Sequence, residues 1–314
     1  MKVLYILGSS RCGSTVLANI LGELDGLFSA GEIRYLWERV LQRRRCGCSL
    51  PVGDCHVWGP VLGDDRADLG KVEAVAELQR VVLRMHRTPY LVRGTPQRLL
   101  LSESLARYVA AIGDVYARLG NITGARVIVD SSKRPSNGAI LRLMPGVEPF
   151  FLHLVRDPRA VAYSNLRLKP NPDRDGGQIG GATSKFSGIH WLATNLTAED
   201  VRRHYWAGRS MLLRYEDFVA APKAAIDRIV KLVGERPSTD PFIGTRTVAL
   251  GTHHTVSGNP ARFATGKIEL REDAAWKREL SSRDRLITTV VALPLLRRYR
   301  YPVRPDVHSL PSSV

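Results

Sequence analysis

Val3-Leu4-Tyr5-Ile6-Leu7-Gly8-Ser9-Ser10-Arg11-Cys12-Gly13-Ser14-Thr15 opens with an apolar run, which a glycine breaks into a short polar loop. A second glycine then leads into a segment of helical period from Thr15 to Leu24. The run is too short for the apolar part of a secretion signal and reads as a β-strand. Gly8 and Gly13 have the G-x4-G spacing of a loop that wraps a phosphate between a strand and a helix. The chemistry departs from that of triphosphate-binding loops. Ser14 stands where a lysine would meet the β- and γ-phosphates, and Arg11 is the cation the loop does carry. Helix-start N–H groups, the hydroxyls of Ser14 and Thr15 and one arginine suit a compact anion without a metal. The same residues also suit a plain strand-to-helix turn with Ser14 and Thr15 as caps.

Outward from this segment, short branched apolar runs alternate with helical stretches. Arg126 to Val129, Phe150 to Val155 and Met211 to Leu213 read as strands; Pro158 to Leu168 and Pro222 to Val233 read as helices. Val72 to His86, Glu103 to Leu119 and Ser281 to Leu296 carry apolar residues three and four apart and also read as helices. The alternation implies an α/β fold with a central parallel sheet flanked by helices on both faces. No Pro/Ser-rich linker divides the chain, so residues 1–314 are expected to form a single domain. Two loop-rich segments, Arg45 to Asp68 and Asn171 to Gly188 with its Gly176-Gly177 and Gly180-Gly181 pairs, are expected to cover a substrate.

Composition narrows the partners. The 314 residues are 44% hydrophobic and carry a formal net charge of +16, so the surface attracts anions. Basic clusters such as Arg43-Arg44-Arg45 are short and lack interleaved aromatics, which argues against a nucleic-acid platform and leaves a small polyanion or peripheral contact with an anionic membrane surface. No apolar stretch approaches the roughly 20 residues of a membrane span, and the expected compartment is the cytoplasm.

A second anion site is expected at Val155-Arg156-Asp157-Pro158-Arg159-Ala160-Val161-Ala162-Tyr163-Ser164. Asp157 is a good N-cap and Pro158 fits the first helical position, so Arg156 sits at the carboxyl end of a strand, where ligands of open α/β sheets collect. Ser164 falls about two turns into the helix. Arg156 could instead only pair with Asp157 or another surface acid.

The loop resembles the 5'-phosphosulfate loop of sulfotransferases that use 3'-phosphoadenosine-5'-phosphosulfate (PAPS), in particular carbohydrate, tyrosylprotein and bacterial members whose loop reads R-x-G-S-T. The second string is similar to the 3'-phosphate motif of the same family. The resemblance implies the P-loop kinase fold, PAPS as co-substrate with PAP as product, and cofactor contacts from Arg11, Cys12, Gly13, Ser14, Thr15, Arg156 and Ser164. Arg214-Tyr215-Glu216-Asp217-Phe218 resembles a family segment whose tyrosine lies against the adenine, although Tyr215 would also serve as a core residue at a strand end. Ser257-Gly258-Asn259-Pro260-Ala261-Arg262, with Gly266, Asp273 and Trp276 beyond, is similar to a C-terminal segment of bacterial members and implies Arg262 as a further 3'-phosphate ligand. Asp130-Ser131-Ser132-Lys133 resembles the segment that supplies a catalytic lysine in tyrosylprotein members, and Lys133 could equally be a plain surface lysine.

Sulfuryl transfer needs in-line geometry, charge stabilisation and a base for the acceptor hydroxyl, and fixed cations can take the place of a metal. Arg11 and Lys133 would be those cations. Glu32, in Ala30-Gly31-Glu32-Ile33-Arg34, resembles the glutamate that takes the proton in tyrosylprotein and carbohydrate members; it also suits the first turn of a helix from Glu32 to Arg44. His253 and His254 are the fallback bases. The acceptor is expected to be a small-molecule, carbohydrate or lipid hydroxyl. Cys46-Gly47-Cys48 and Cys55-His56 do not follow a common zinc spacing, so free or disulfide-bonded thiols are the expectation there rather than a metal. The competing readings are a P-loop kinase or nucleotide-binding regulator, with Asp130 as the magnesium-holding acid, and a binding-only module drawn to anionic glycans or membranes.

Overall fold

The computed structural model describes residues 1–171, 173, 177–204 and 207–303. Five strands, β1 (Lys2–Leu7), β2 (Leu27–Gly31), β3 (Val127–Lys133), β4 (Glu148–Val155) and β5 (Ser210–Arg214), form a sheet in the order β2-β3-β1-β4-β5. Every neighbouring pair is parallel. Around it lie α1 (Ser14–Gly22), α2 (Leu69–Val82), α3 (Glu103–Thr123), α4 (Pro158–Leu166), α5 (Ser184–His204), α6 (Pro222–Val233) and α7 (Ser282–Leu296).

The unbroken apolar run of β1 follows from its place in the middle of the sheet. Val3, Tyr5 and Leu7 pack with α2 and α3 on one face, while Leu4 and Ile6 pack with α1 and α6 on the other. A strand covered on both faces has no polar side to alternate with. A smaller cluster joins Val155 and Val161 to Trp191 of α5 and Ala292, Leu295 and Leu296 of α7, which fixes the carboxyl end of β4 against two helices. The expected α/β layering is therefore observed, with helices on both faces.

Boundaries depart from expectation where polar residues are buried. β3 does not stop at Val129; it runs through Asp130, Ser131 and Ser132 to Lys133, and those three polar side chains are all buried. β2 was not foreseen, because Leu27-Phe28-Ser29-Ala30-Gly31 is short and mixes in small residues. α5 starts at Ser184, inside the segment expected to be loop, and its apolar face is sparse, with Trp191, Ala198 and Val201 set among polar neighbours. Segment 45–68 is not an open flap: Cys46, Val52, Cys55 and Trp58 are buried in the α2–α3 face of the core. Gly176 lies outside the described residues. No helix among those described is long and apolar enough to cross a membrane.

Candidate active site

The carboxyl ends of β1, β3 and β4 open onto a cleft of about 680 Å³ lined by Gly8, Arg11, Gly13, Ser14, Thr15, Glu32, Lys133, Arg156, Ser164 and Tyr215. Strand ends are where an open parallel sheet leaves room for a ligand. The loop from Gly8 runs directly into α1, whose N-cap is Gly13, with φ 93°. A Cβ at Gly13 would lie 2.4 Å from the ring of Tyr215, so the left-handed backbone and the close ring approach both demand glycine. Ser14 and Thr15 are buried at the helix start, and Thr15 Oγ1 accepts a bond from the Asn259 N–H at 3.2 Å.

Two cations of the cleft have left-handed backbones, Arg11 at φ 63° and Lys133 at φ 68°. Non-glycine residues hold that conformation only where the surroundings impose it, and such strain gathers at functional sites. Burial and the neighbouring Arg156 both push the Arg11 guanidinium below its ordinary pKa. Lys169 is pushed down by burial, Arg11 and Arg167, against the opposing pull of Asp273.

Arg156 does not pair with Asp157. That carboxylate is taken by the fully buried Arg159, whose Nε and Nη2 reach Oδ1 and Oδ2 at 2.9 and 2.7 Å. Arg156 instead donates to the Arg11 carbonyl at 3.0 Å, approaches Asp273 at 3.3 Å and lies 4.6 Å above the Tyr215 ring. Asp157 caps α4 as expected, and Ser164, two turns along, reaches the same cleft.

Glu32 and Lys133 meet at 2.6 Å, with side chains 12% and 13% exposed. Glu32 does not begin a helix running to Arg44. A 3-10 turn, Ile33–Tyr35, follows it, then a short helix, Leu36–Leu41, and Glu32 makes no side-chain cap bond. Its N–H donates to the Ser257 carbonyl at 3.0 Å, which fixes its backbone beside the cleft.

Several placements differ from expectation. Arg262 is 1% exposed and does not line the cleft; Asp173 at 2.6 Å and the carbonyls of Gly258 and Arg45 use its guanidinium, so it braces loops rather than facing a ligand. Cys12 points its thiol into the core beneath the loop, where burial raises its pKa, and can offer a ligand only its backbone. Asp130 is buried and accepts bonds from Tyr116 Oη and from the N–H and hydroxyl of Ser132, which leaves it no open face for magnesium. His253 pairs with Glu23 at 3.1 Å, and His254 faces Cys55 at 3.2 Å; neither lines the cleft. Cys46, Cys48 and Cys55 come together with His254 rather than with His56, which is exposed. The hydrogen bond from Cys46 pulls the Cys55 thiol down to about 3, assisted by His254 and the N–H groups of Trp58 and Val57.

Residues not foreseen complete the cleft: Tyr35, Met85, Phe186 and His190 line it too. Burial, then Arg134 and Arg34, lower the pKa of His190. Phe186 and His190 sit on α5, whose weak periodicity hid them; only its four-residue spacing connects the pair.

A family model described as the sulfotransferase family matches residues 67–239. The sulfotransferase domain of the Synechococcus PCC 7002 olefin synthase has a TM-score of 0.55 at 24% identity, covering 97% of this chain and 96% of that one. The sulfotransferase domain from the curacin biosynthetic pathway gives 0.49 at 18%, covering 96% and 99%. No curated protein sequence matches this chain.

Proposed function

This chain belongs to the sulfotransferase family, its chemistry is sulfuryl transfer, and on that premise we propose that PAPS is its donor and a small-molecule, carbohydrate or lipid hydroxyl its acceptor. The observation that carries the proposal is the meeting of Glu32 and Lys133, 101 positions apart in sequence, at 2.6 Å in a cleft that also holds Arg11, Arg156 and Ser164.

The roles follow from charge and position. Loop N–H groups with Ser14 and Thr15 hold the 5'-phosphosulfate, Arg156 and Ser164 hold the 3'-phosphate, and Tyr215 packs beside the base. The acceptor hydroxyl gives its proton to Glu32 as its oxygen bonds to sulfur, while the bond from sulfur to the phosphate oxygen breaks and PAP leaves. Arg11 and Lys133 carry the charge that moves onto that leaving oxygen, so no metal is required. Tyr35, Met85, Phe186 and His190 offer an apolar and aromatic wall for the acceptor's carbon skeleton.

Thermal shift and calorimetry test this directly. PAP or PAPS should raise the melting temperature without magnesium, and ATP with magnesium should not. Arg156→Ala should weaken PAP binding by about 2 kcal/mol, roughly thirtyfold. Magnesium-dependent binding of ATP in preference to PAP would favour the kinase reading, and a response to neither nucleotide would leave a binding-only module.

A further inference from the structure

We propose that Cys46, Cys48, Cys55 and His254 bind one zinc ion, which fastens segment 46–55 to the segment that carries Ser257 and Asn259 into the cleft. The four ligand atoms lie within 4.8 Å of one another. A tetrahedral zinc with Zn–S bonds near 2.3 Å places its sulfurs about 3.8 Å apart and a sulfur and an imidazole nitrogen about 3.6 Å apart. Cys48 and Cys55 are at 3.7 Å, and Cys55 and His254 Nδ1 at 3.2 Å. The first separation is far too long for a disulfide and is close to the tetrahedral edge. Three thiolates and one imidazole are a zinc donor set, and four protein ligands close the coordination sphere, which makes the site structural rather than catalytic. Binding releases whatever protons the thiols still hold.

The surroundings are built around the cluster. The Gly47 N–H donates to the Thr255 carbonyl at 2.9 Å, and a Cβ there would lie 2.5 Å from the His253 carbonyl oxygen, so the two segments touch backbone to backbone. Trp58, fully buried, donates from its indole N–H to the His254 carbonyl at 2.6 Å. Arg262 donates to the carbonyl of Arg45, next to Cys46, and sets a cation beside a cluster that would carry net negative charge with zinc bound. From His254 the chain continues to Ser257, whose carbonyl accepts the Glu32 N–H, and to Asn259, whose N–H reaches Thr15 Oγ1. The metal would thus hold the strap that positions both Glu32 and the start of α1. This reverses the ranking that Cys-x-Cys-x6-Cys-His suggests, because the fourth ligand is 199 residues from Cys55 rather than adjacent to it.

The test is metal content by elemental analysis of the full chain, purified under reducing conditions from zinc-supplemented medium, with native mass spectrometry in parallel. One zinc per chain is expected in the wild type and in His56→Ala, with loss of that equivalent in Cys46→Ser and His254→Ala. Cobalt exchanged into the wild type should show thiolate charge-transfer absorption and tetrahedral d–d bands, a readout that does not depend on any variant folding. A wild-type chain that stays metal-free with added zinc, or carries a Cys48–Cys55 disulfide, or loses its zinc in His56→Ala, overturns the assignment. None of these readouts uses sulfuryl transfer, so they stand apart from the proposed activity.

Discussion

Glu32 and Lys133 are charged side chains held largely away from water, and removing one partner of such a pair leaves the other charge uncompensated. Glu32→Gln keeps the volume and an acceptor for Lys133 Nζ, but the amide cannot take a proton. PAP affinity should be unchanged, while turnover per folded molecule falls by a factor on the order of 10² to 10⁴. A purely structural glutamate leaves turnover per folded molecule intact whatever the loss of melting temperature, and normal kcat in the folded variant sinks the base assignment. At this scale the sequence was readable where chemistry is contiguous. Gly8 to Thr15 and Val155 to Ser164 each put their ligands on one strand end and the helix that follows, so spacing alone carries them into the cleft. It was not readable where partners are remote: nothing beside Arg262 announces Asp173, 89 positions away, and nothing near the cysteines announces His254.

Among elements, the junction of the phosphate loop with α1 is the most constrained. Gly13→Ala would place a Cβ 2.4 Å from the Tyr215 ring and would have to keep a left-handed φ, a strain of about 1–2 kcal/mol before any clash. We expect a lower melting temperature together with weaker PAP binding, because the ring must leave its place over the loop. Adding Tyr215→Ala should relieve the steric part and leave the backbone part. If Gly13→Ala matches the wild type in both measurements, the loop and the Tyr215 ring are not packed this tightly. Elements with strong periodicity, such as α6, fell within their expected bounds, whereas β2, the polar end of β3 and α5 escaped. In each of these the chain buries small or polar side chains, as Asp130 does between Tyr116 and Ser132, and a hydrophobic period cannot register them.

Over the whole molecule, two buried groups set opposing pH dependences. Burial pushes Asp130 up to about 6, so between pH 4 and 6 the folded state holds more protons than the unfolded one, and stability falls as pH rises. Burial pushes His153 down to about 4 against its bond to Asn195, so between pH 4 and 6.5 the folded state holds fewer protons, and stability falls as pH drops. Each effect is on the order of 3 kcal/mol, and the two oppose one another. Relative to wild type, Asp130→Asn should lose melting temperature steeply from pH 6.5 to 4, and His153→Gln should gain it over the same range. Parallel curves for all three proteins would show that neither group titrates as described. The sheet order has a further consequence, for biosynthesis. Of the five strands β1 leaves the ribosome first, yet its two neighbours are β3 and β4, which end at Lys133 and Val155. At ordinary translation rates roughly 8 to 30 s pass before both partners exist. Until β3 is complete the apolar β1 has no partner strand of this sheet, and until β4 follows one of its edges stays open, which makes it a natural client for a chaperone.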